Sequence, residues 1–197
     1  MKLNTPNKLT IARMIITPLF LAVIMKENLP HKFLWAMLIF ITASITDAVD
    51  GKLARKNNQV TNFGKLLDPI ADKVLTTAAL LAFMKLGLCN IWIVMIVLTR
   101  EFAIASIRMI AASNGVVIPA NIWGKLKTVS QMVFTIAIML LGEVYSYAEN
   151  FVPGVTVPRF LTLSNISNTL LWITAVLTVI SGIIYIKDSK NAIDYSK

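Results

Sequence analysis

Six long apolar segments, each long enough to cross a membrane, recur along the whole chain. A membrane-spanning helix needs about 20 mostly apolar residues, because each residue adds about 1.5 Å and the hydrocarbon core is about 30 Å thick. The six segments predict an all-α, polytopic membrane protein with six transmembrane helices, in which residues 1–197 form a single integral-membrane domain. The segments that meet the length requirement are about 9–25, 33–55, 66–86, 90–112, 122–142 and 163–187.

The composition excludes several soluble classes of protein. Hydrophobic residues make up 56% of the chain and charged residues 15%, whereas soluble domains carry about 25% charged residues. A disordered chain is therefore excluded, and a single cysteine excludes a disulfide scaffold. The net charge of +9 would suit a nucleic-acid-binding protein, but there is too little polar surface for one, so we expect no nucleic-acid partner.

The basic residues predict how the chain is oriented in the membrane. Six crossings place both termini on the same side, and Lys and Arg are enriched in cytoplasmic connections. If the termini are cytoplasmic, the remaining basic residues lie on or toward the inner side, so we expect a multi-pass protein of the cytoplasmic membrane. The outer connections then hold only Lys26, Lys32, Lys85 and Arg159.

Four of the ten acidic residues are concentrated where the second segment ends and the third begins. Residues three or four apart share one face of a helix. Asp47 and Asp50 therefore lie on one face of the second helix, and Asp68 and Asp72 on one face of the third. Because the connection is short, we expect the two helices to be antiparallel neighbours whose acidic faces confront each other.

These aspartates predict a metal site. Carboxylates held close together repel one another unless a cation lies between them, and oxygen ligands suit hard cations such as Mg²⁺, Mn²⁺ or Ca²⁺. Four carboxylates are enough for two divalent ions, an arrangement that clamps phosphoryl oxygens during in-line displacement. Gly51, Ala54 and Gly64 would leave room beside the ions. The alternative interpretation is a set of solvated helix ends.

The pattern D-x-x-D-G-x-x-A-R-x₈-G-x-x-x-D-x-x-x-D over residues 47–72 resembles the signature of the CDP-alcohol phosphatidyltransferases. The resemblance implies a six-helix membrane enzyme that moves a phosphatidyl group from a CDP-linked donor to an alcohol and releases CMP. It implies that the four aspartates bind two divalent ions, Mg²⁺ or Mn²⁺, and that Asp72 is the base for the incoming hydroxyl. The residues that it assigns to the donor, CDP-diacylglycerol, are Gly51, Ala54 and Gly64 around the cytidine, and Arg55 and Lys65 near the diphosphate.

A polar face at the start of the chain is a further candidate for donor binding. Asn7, Thr10 and Arg13 lie at steps of three after Pro6, which suits a helix start. One interpretation is an interfacial helix whose arginine reaches toward lipid headgroups. The other comes from the resemblance, since several bacterial members of the family begin with a similar P-N-x-x-T-x-x-R near the donor nucleotide.

The fourth segment carries charges inside an apolar run, and these predict the acceptor. Arg100, Glu101 and Arg108 lie there, and an ion within a membrane segment indicates a functional site by default. Glu101 can pair with an arginine, which would be a structural role, but two arginines leave surplus positive charge, and guanidinium groups suit phosphate oxygens. Lys125 and Lys127 add charge at the same depth. We therefore expect an acceptor that is itself a phosphate ester.

The sequences T-R-E-F-A-I-A-S-I-R and G-K-L-K-T-V-S-Q are also similar to family members whose acceptor is sn-glycerol 3-phosphate. That resemblance implies that Arg100, Arg108 and Lys125 bind the acceptor phosphate, with Lys127 and Gln131 as further candidates, and it suggests a homodimer. An alternative within the family is phosphatidylglycerol as acceptor, which gives cardiolipin. A divalent-cation transporter is a remote alternative, because such proteins usually place ionisable groups near the midplane and show repeats.

Overall fold

A computed structural model of the chain describes the backbone of residues 5–56, 62–113, 121–151, 158 and 161–189, and the side chains of residues 10–46, 73–113, 121–148, 158 and 161–189. Within these ranges the regular structure is α-helical, which confirms the prediction of an all-α protein. The helices are α1 (Thr5–Met25), α2 (Lys32–Lys56), α3 (Asn62–Lys85), α4 (Ile91–Ser113), α5 (Ile122–Phe151) and α6 (Leu163–Ser189).

The helices pack side by side in a closed ring. α1 packs against α2 and α3, α5 packs against α2 and α6, and α4 packs against α3 and α6. Around the ring the order is therefore α1, α2, α5, α6, α4 and α3. In the described part of the chain α2 and α3 touch each other only slightly and are joined mainly through α1. Whether their acidic ends confront each other lies outside the described side chains.

One end of the ring is joined by a contact between the α1–α2 connection and α5. His31, which has a positive φ of 56°, lies 2.5 Å through Nδ1 from Oε1 of Glu143. The other carboxylate oxygen of Glu143 accepts the backbone N–H of Leu34 at 3.2 Å, in the first turn of α2. The carboxylate therefore satisfies a backbone donor that α2 leaves without an intrahelical partner. Nothing in the spacing of His31 along the chain predicts this contact.

Two further contacts show that successive helices run in alternating directions. Next to the α3–α4 turn, the hydroxyl of Ser164 at the start of α6 donates to the carbonyl of Gly87 at 2.7 Å. At the opposite end of the ring, the side chain of Asn121 before α5 donates to Asp188 near the end of α6 at 3.1 Å. α5 and α6 are therefore antiparallel neighbours.

The described side chains have an inverted polarity. Every helix exposes large apolar side chains, such as Ile15, Leu81 and Ile183, whereas soluble proteins avoid large exposed apolar patches. Hydroxyl, amide and charged groups are instead enclosed between helices, as in membrane bundles. The buried polar residues are Thr10, Arg13, Thr17, Lys127, Gln131, Thr135, Ser167, Thr174, Thr178, Ser181 and Ser189.

By length and composition, two helices of the described chain are apolar enough to cross a membrane, over Ile122–Ala148 and Leu163–Ser189. Shorter apolar helical stretches run over Thr10–Met25 and Lys32–Thr46. Together with the exposed apolar surface, these helices suggest a membrane protein. The prediction of six transmembrane crossings goes further than this observation.

Candidate functional site

Four charged residues from three helices meet in one group, which we call the Glu101 cluster: Lys73 of α3, Arg100 and Glu101 of α4, and Lys127 of α5. Oε1 of Glu101 accepts hydrogen bonds from Nζ of Lys127 at 2.7 Å and from Nη1 of Arg100 at 2.9 Å. Nζ of Lys73 donates to the backbone carbonyl of Glu101 at 3.0 Å and lies 4.0 Å from its Oε2. Residue 101 therefore contacts all three cations.

The cluster carries more positive than negative charge and is largely shielded from solvent. The exposed fraction of the side chain is 4% for Lys127, 14% for Arg100, 20% for Glu101 and 28% for Lys73. Charges out of water need partners, and among the described side chains Arg100 and Lys127 share a single carboxylate oxygen. A site of this kind favours an anion, and guanidinium and ammonium groups bind phosphate oxygens well.

Two glycines and a serine make space for Arg100 between α5 and α6. Nη2 of Arg100 donates to Oγ of Ser181 at 3.0 Å. A Cβ placed on Gly182 would lie 3.2 Å from Cγ of Arg100, and one placed on Gly124 would lie 3.6 Å from Nη2. The stem of the arginine therefore fits because residue 182 has no side chain. Its guanidinium group lies where α4, α5 and α6 meet.

Arg108 and Lys125, the other two residues predicted for the acceptor phosphate, are both exposed. Nε of Arg108 donates to the hydroxyl of Tyr185 at 3.1 Å, and its guanidinium carbon lies 5.3 Å from the centre of that ring. Lys127 and Gln131, each 3% exposed, lie on the inward face of α5. Lys125 does not lie on that face. The structure thus brings Arg100 together with Lys127, and places Lys125 outside the described cluster.

The predicted donor-binding face of α1 is partly described. Thr10 and Arg13 are each 3% exposed, and the hydroxyl of Thr17 one turn later donates to the carbonyl of Arg13 at 3.0 Å. Burial of Arg13 does not fit an arginine that reaches outward to lipid headgroups. The side chain of Asn7 lies outside the described residues.

Residues 47–56 and 62–72 of the signature lie on helical backbone at the end of α2 and the start of α3, but the side chains of the signature are not among those that the structure describes. Among the described side chains, no group of three or more His, Cys, Asp or Glu residues is arranged to hold a metal. The metal site therefore stays a prediction, which rests on the all-oxygen donor set. The predicted residues outside the described side chains are Asp47, Asp50, Gly51, Ala54, Arg55, Gly64, Lys65, Asp68 and Asp72.

Sequence reasoning missed Lys73. It directly follows Asp72 in the chain, and it is the residue by which α3 joins the Glu101 cluster. The cluster therefore lies beside the α3 part of the signature. The position of Lys73 next to the second aspartate pair was a signal in the sequence, but a single lysine within a helix gives no indication of its partner.

Comparisons with known proteins point in one direction. The profile of the CDP-alcohol phosphatidyltransferase family matches residues 3–180. The chain is similar to CDP-diacylglycerol–glycerol-3-phosphate 3-phosphatidyltransferase of Bacillus subtilis, with 35% identity over 98% of both chains. Proteins of the same name from Rickettsia felis and Rickettsia prowazekii are each 37% identical over 95% of this chain and 96% of their own.

Proposed function

We propose, from the premise that this chain belongs to the CDP-alcohol phosphatidyltransferase family, that it transfers the phosphatidyl group of CDP-diacylglycerol to sn-glycerol 3-phosphate. A primary hydroxyl of the acceptor attacks the phosphorus that carries the diacylglycerol. A new P–O bond forms to the acceptor, the P–O bond to CMP breaks, and the hydroxyl proton passes to a base. The products are phosphatidylglycerophosphate and CMP, which places the enzyme in anionic phospholipid synthesis.

The observation that carries the choice of acceptor is the Glu101 cluster. An uncharged alcohol would not require Arg100 and Lys127, both largely shielded from water, around one carboxylate of the described residues, whereas a phosphate ester suits such cations. The full-length relatives named for a glycerol 3-phosphate acceptor support the same choice. We assign the acceptor phosphate to Arg100, Arg108 and Lys125, and the inward orientation of Lys127 makes it a further candidate.

The donor would lie beside the signature, with its acyl chains in the bilayer. Asp47, Asp50, Asp68 and Asp72 would hold Mg²⁺ or Mn²⁺, because oxygen ligands suit these ions. When bound, the metal would supply charge neutralisation for the diphosphate. The residues that would contact the nucleotide part of the donor are Asn7, Thr10, Arg13, Gly51, Ala54, Arg55, Gly64 and Lys65.

In this mechanism the protein contributes mainly by positioning the substrates and by balancing their charge. Asp72 would take the proton from the acceptor hydroxyl as the new bond forms, which is the role of a general base. The cations of α4 would hold the acceptor phosphate so that its hydroxyl faces the donor phosphorus. Positioning of this kind accounts for a large part of the acceleration in phosphoryl transfer.

The membrane arrangement is part of the proposal. Exposed apolar side chains on every helix support six crossings of the cytoplasmic membrane, and the distribution of Lys and Arg supports cytoplasmic termini and a cytoplasmic active site. We also propose a homodimer, on the strength of the family resemblance alone.

A direct assay tests the proposed function. Purified protein with Mg²⁺ or Mn²⁺, CDP-diacylglycerol and labelled glycerol 3-phosphate should release CMP and transfer the label to lipid. Release of CMP with phosphatidylglycerol but not with glycerol 3-phosphate would favour cardiolipin formation instead. Asp72→Asn should reduce turnover about 100-fold or more, as loss of a general base does, whereas Glu143→Gln at the opposite end of the ring should not. Full turnover of Asp72→Asn would refute its assignment as base.

A further inference from the structure

We propose that Glu101 is a positioning residue, which holds Lys73 and therefore the α3 turn that contains Asp72 in register with the cations of α4 and α5. This inference rests on the proposed function, because it gives Glu101 a role in that reaction. The residue does not need to touch either substrate. It acts through the three cations that it binds.

The contacts of Glu101 are divided between its backbone and its side chain. The backbone carbonyl binds Lys73 of α3 at 3.0 Å, and the carboxylate oxygen Oε1 binds Lys127 of α5 at 2.7 Å. Arg100 shares that oxygen at 2.9 Å and extends to Ser181 of α6 at 3.0 Å. Glu101 therefore links α4 to α3 and α5, and Arg100, bound to the same carboxylate, extends the group to α6.

The carboxylate is also what allows these cations to stay together. Nζ of Lys127 and Nη1 of Arg100 both lie within hydrogen-bond distance of one oxygen, and Oε2 is 4.0 Å from Lys73. Like charges that are shielded from water repel strongly unless an opposite charge lies between them. Without the carboxylate we expect the three cations to move apart, with Lys127 least able to reach solvent because it is the most deeply buried.

The consequence for the reaction comes through the chain itself. Lys73 follows Asp72 directly, and α3 packs against α4. If Lys73 moves, the adjacent base moves relative to the phosphate-binding cations, and the distance between the hydroxyl that loses its proton and the base changes. A misplacement of about 1 Å at a reacting group can cost about 100-fold in rate.

Kinetic measurements on Glu101→Gln test this inference, because the amide keeps the length and the backbone carbonyl but removes the charge. We expect kcat to fall about 100-fold, and by a larger factor than the KM for CDP-diacylglycerol changes, since the position of the base matters most in the transition state. Lys73→Met should lower kcat as well, and the double variant should be little worse than the more affected single variant, because both changes remove the same ion pair between Lys73 and the carboxylate of Glu101. Glu101→Asp should recover part of the lost activity.

A matched control and a measurement without substrate separate positioning from loss of folding. Glu143→Gln removes the other glutamate that joins two helices, at the far end of the ring, and should keep the kcat of the wild type. Acetylation of lysines, followed by mass spectrometry, should show faster labelling of Lys73 and Lys127 in Glu101→Gln, with exposed Lys125 unchanged.

The activity assay and the lysine labelling test the proposed function and the role of Glu101 separately. If the wild-type protein releases no CMP with glycerol 3-phosphate, the proposed function is wrong, and the labelling still decides whether Glu101 holds the two lysines. Unchanged labelling of Lys73 and Lys127 in Glu101→Gln would overturn the inference. Wild-type kcat in that variant, or multiplicative effects of the Glu101 and Lys73 changes, would overturn it too.

Discussion

Replacement of Gly182 by alanine should weaken acceptor binding without unfolding the protein. A Cβ at this position would lie 3.2 Å from Cγ of Arg100, whereas carbon atoms pack best at about 3.5–4.0 Å. The stem of the arginine must therefore shift by a few tenths of an ångström. Because Gly182 is fully enclosed between helices, the stem can move only by carrying its guanidinium away from Ser181 and Glu101.

The size of the effect follows from the contacts that would be strained. Nη2 of Arg100 bonds to Ser181 at 3.0 Å and Nη1 bonds to Glu101 at 2.9 Å, and hydrogen bonds to charged groups are worth about 1.5–3 kcal/mol each. Partial loss of one such bond, about 1.4 kcal/mol, corresponds to about a tenfold rise in KM for glycerol 3-phosphate. Overpacking costs about 1 kcal/mol or more, and alanine returns about 1 kcal/mol through its higher helix propensity. The melting temperature should therefore change little.

Gly124→Ala provides the matched control, because it adds the same methyl group on the other side of the same arginine. Its Cβ would lie 3.6 Å from Nη2 of Arg100, which is ordinary van der Waals contact. The two variants should be compared by KM for each substrate in the CMP-release assay and by thermal unfolding in the same detergent. Equal KM values for glycerol 3-phosphate in the two variants would refute the argument that Gly182 makes space for a functional arginine.

Two further predictions concern the metal and the free thiol. Removal of divalent ions by a chelator should abolish CMP release, with recovery on addition of Mg²⁺ or Mn²⁺; activity that persists in the chelator would contradict the assignment of the four aspartates. Burial raises the pKa of the Cys89 thiol to about 12, so the reactive thiolate forms only at high pH. Its rate of alkylation by iodoacetamide should keep rising above pH 10, whereas an exposed cysteine introduced as Asn28→Cys in a Cys89→Ala background should reach its plateau by about pH 10; a plateau for Cys89 at that pH would show that the thiol is not buried.

The helices were predictable because the length of an apolar run is a strong physical signal. The largest difference is at the end of α5, where the apolar run stops at about residue 142 but the helix continues to Phe151. Glu143 is the first charged residue beyond the run, and sequence alone reads it as the start of a loop. In the structure its carboxylate is used by the first turn of α2, so a polar residue continues the helix. Tertiary contacts decide such boundaries.

The order of the helices around the ring could not be predicted from the sequence. Short connections predict that consecutive helices run antiparallel, but they do not predict that α5 packs against α2 or α4 against α6. The residue of α5 that faces inward could not be predicted from the sequence either. Lys125 and Lys127 are two positions apart and at the same depth, so their spacing puts them on different faces of α5 without saying which face is inward. The inward residue is Lys127, whose ammonium group reaches the carboxylate of Glu101 on α4.

The positions of the three charged residues on α4 explain how this helix can belong to an apolar bundle. Met95, Phe102 and Met109 recur at steps of seven residues, which puts them on one face, and all three are more than half exposed. Arg100 and Glu101 are instead enclosed by α3, α5 and α6, and Arg108 is bonded to Tyr185. Ions that face partners inside a bundle do not have to be solvated by lipid. The charges that reduce the apolar character of α4 are therefore compatible with a membrane crossing, and they identify the face on which the acceptor would bind.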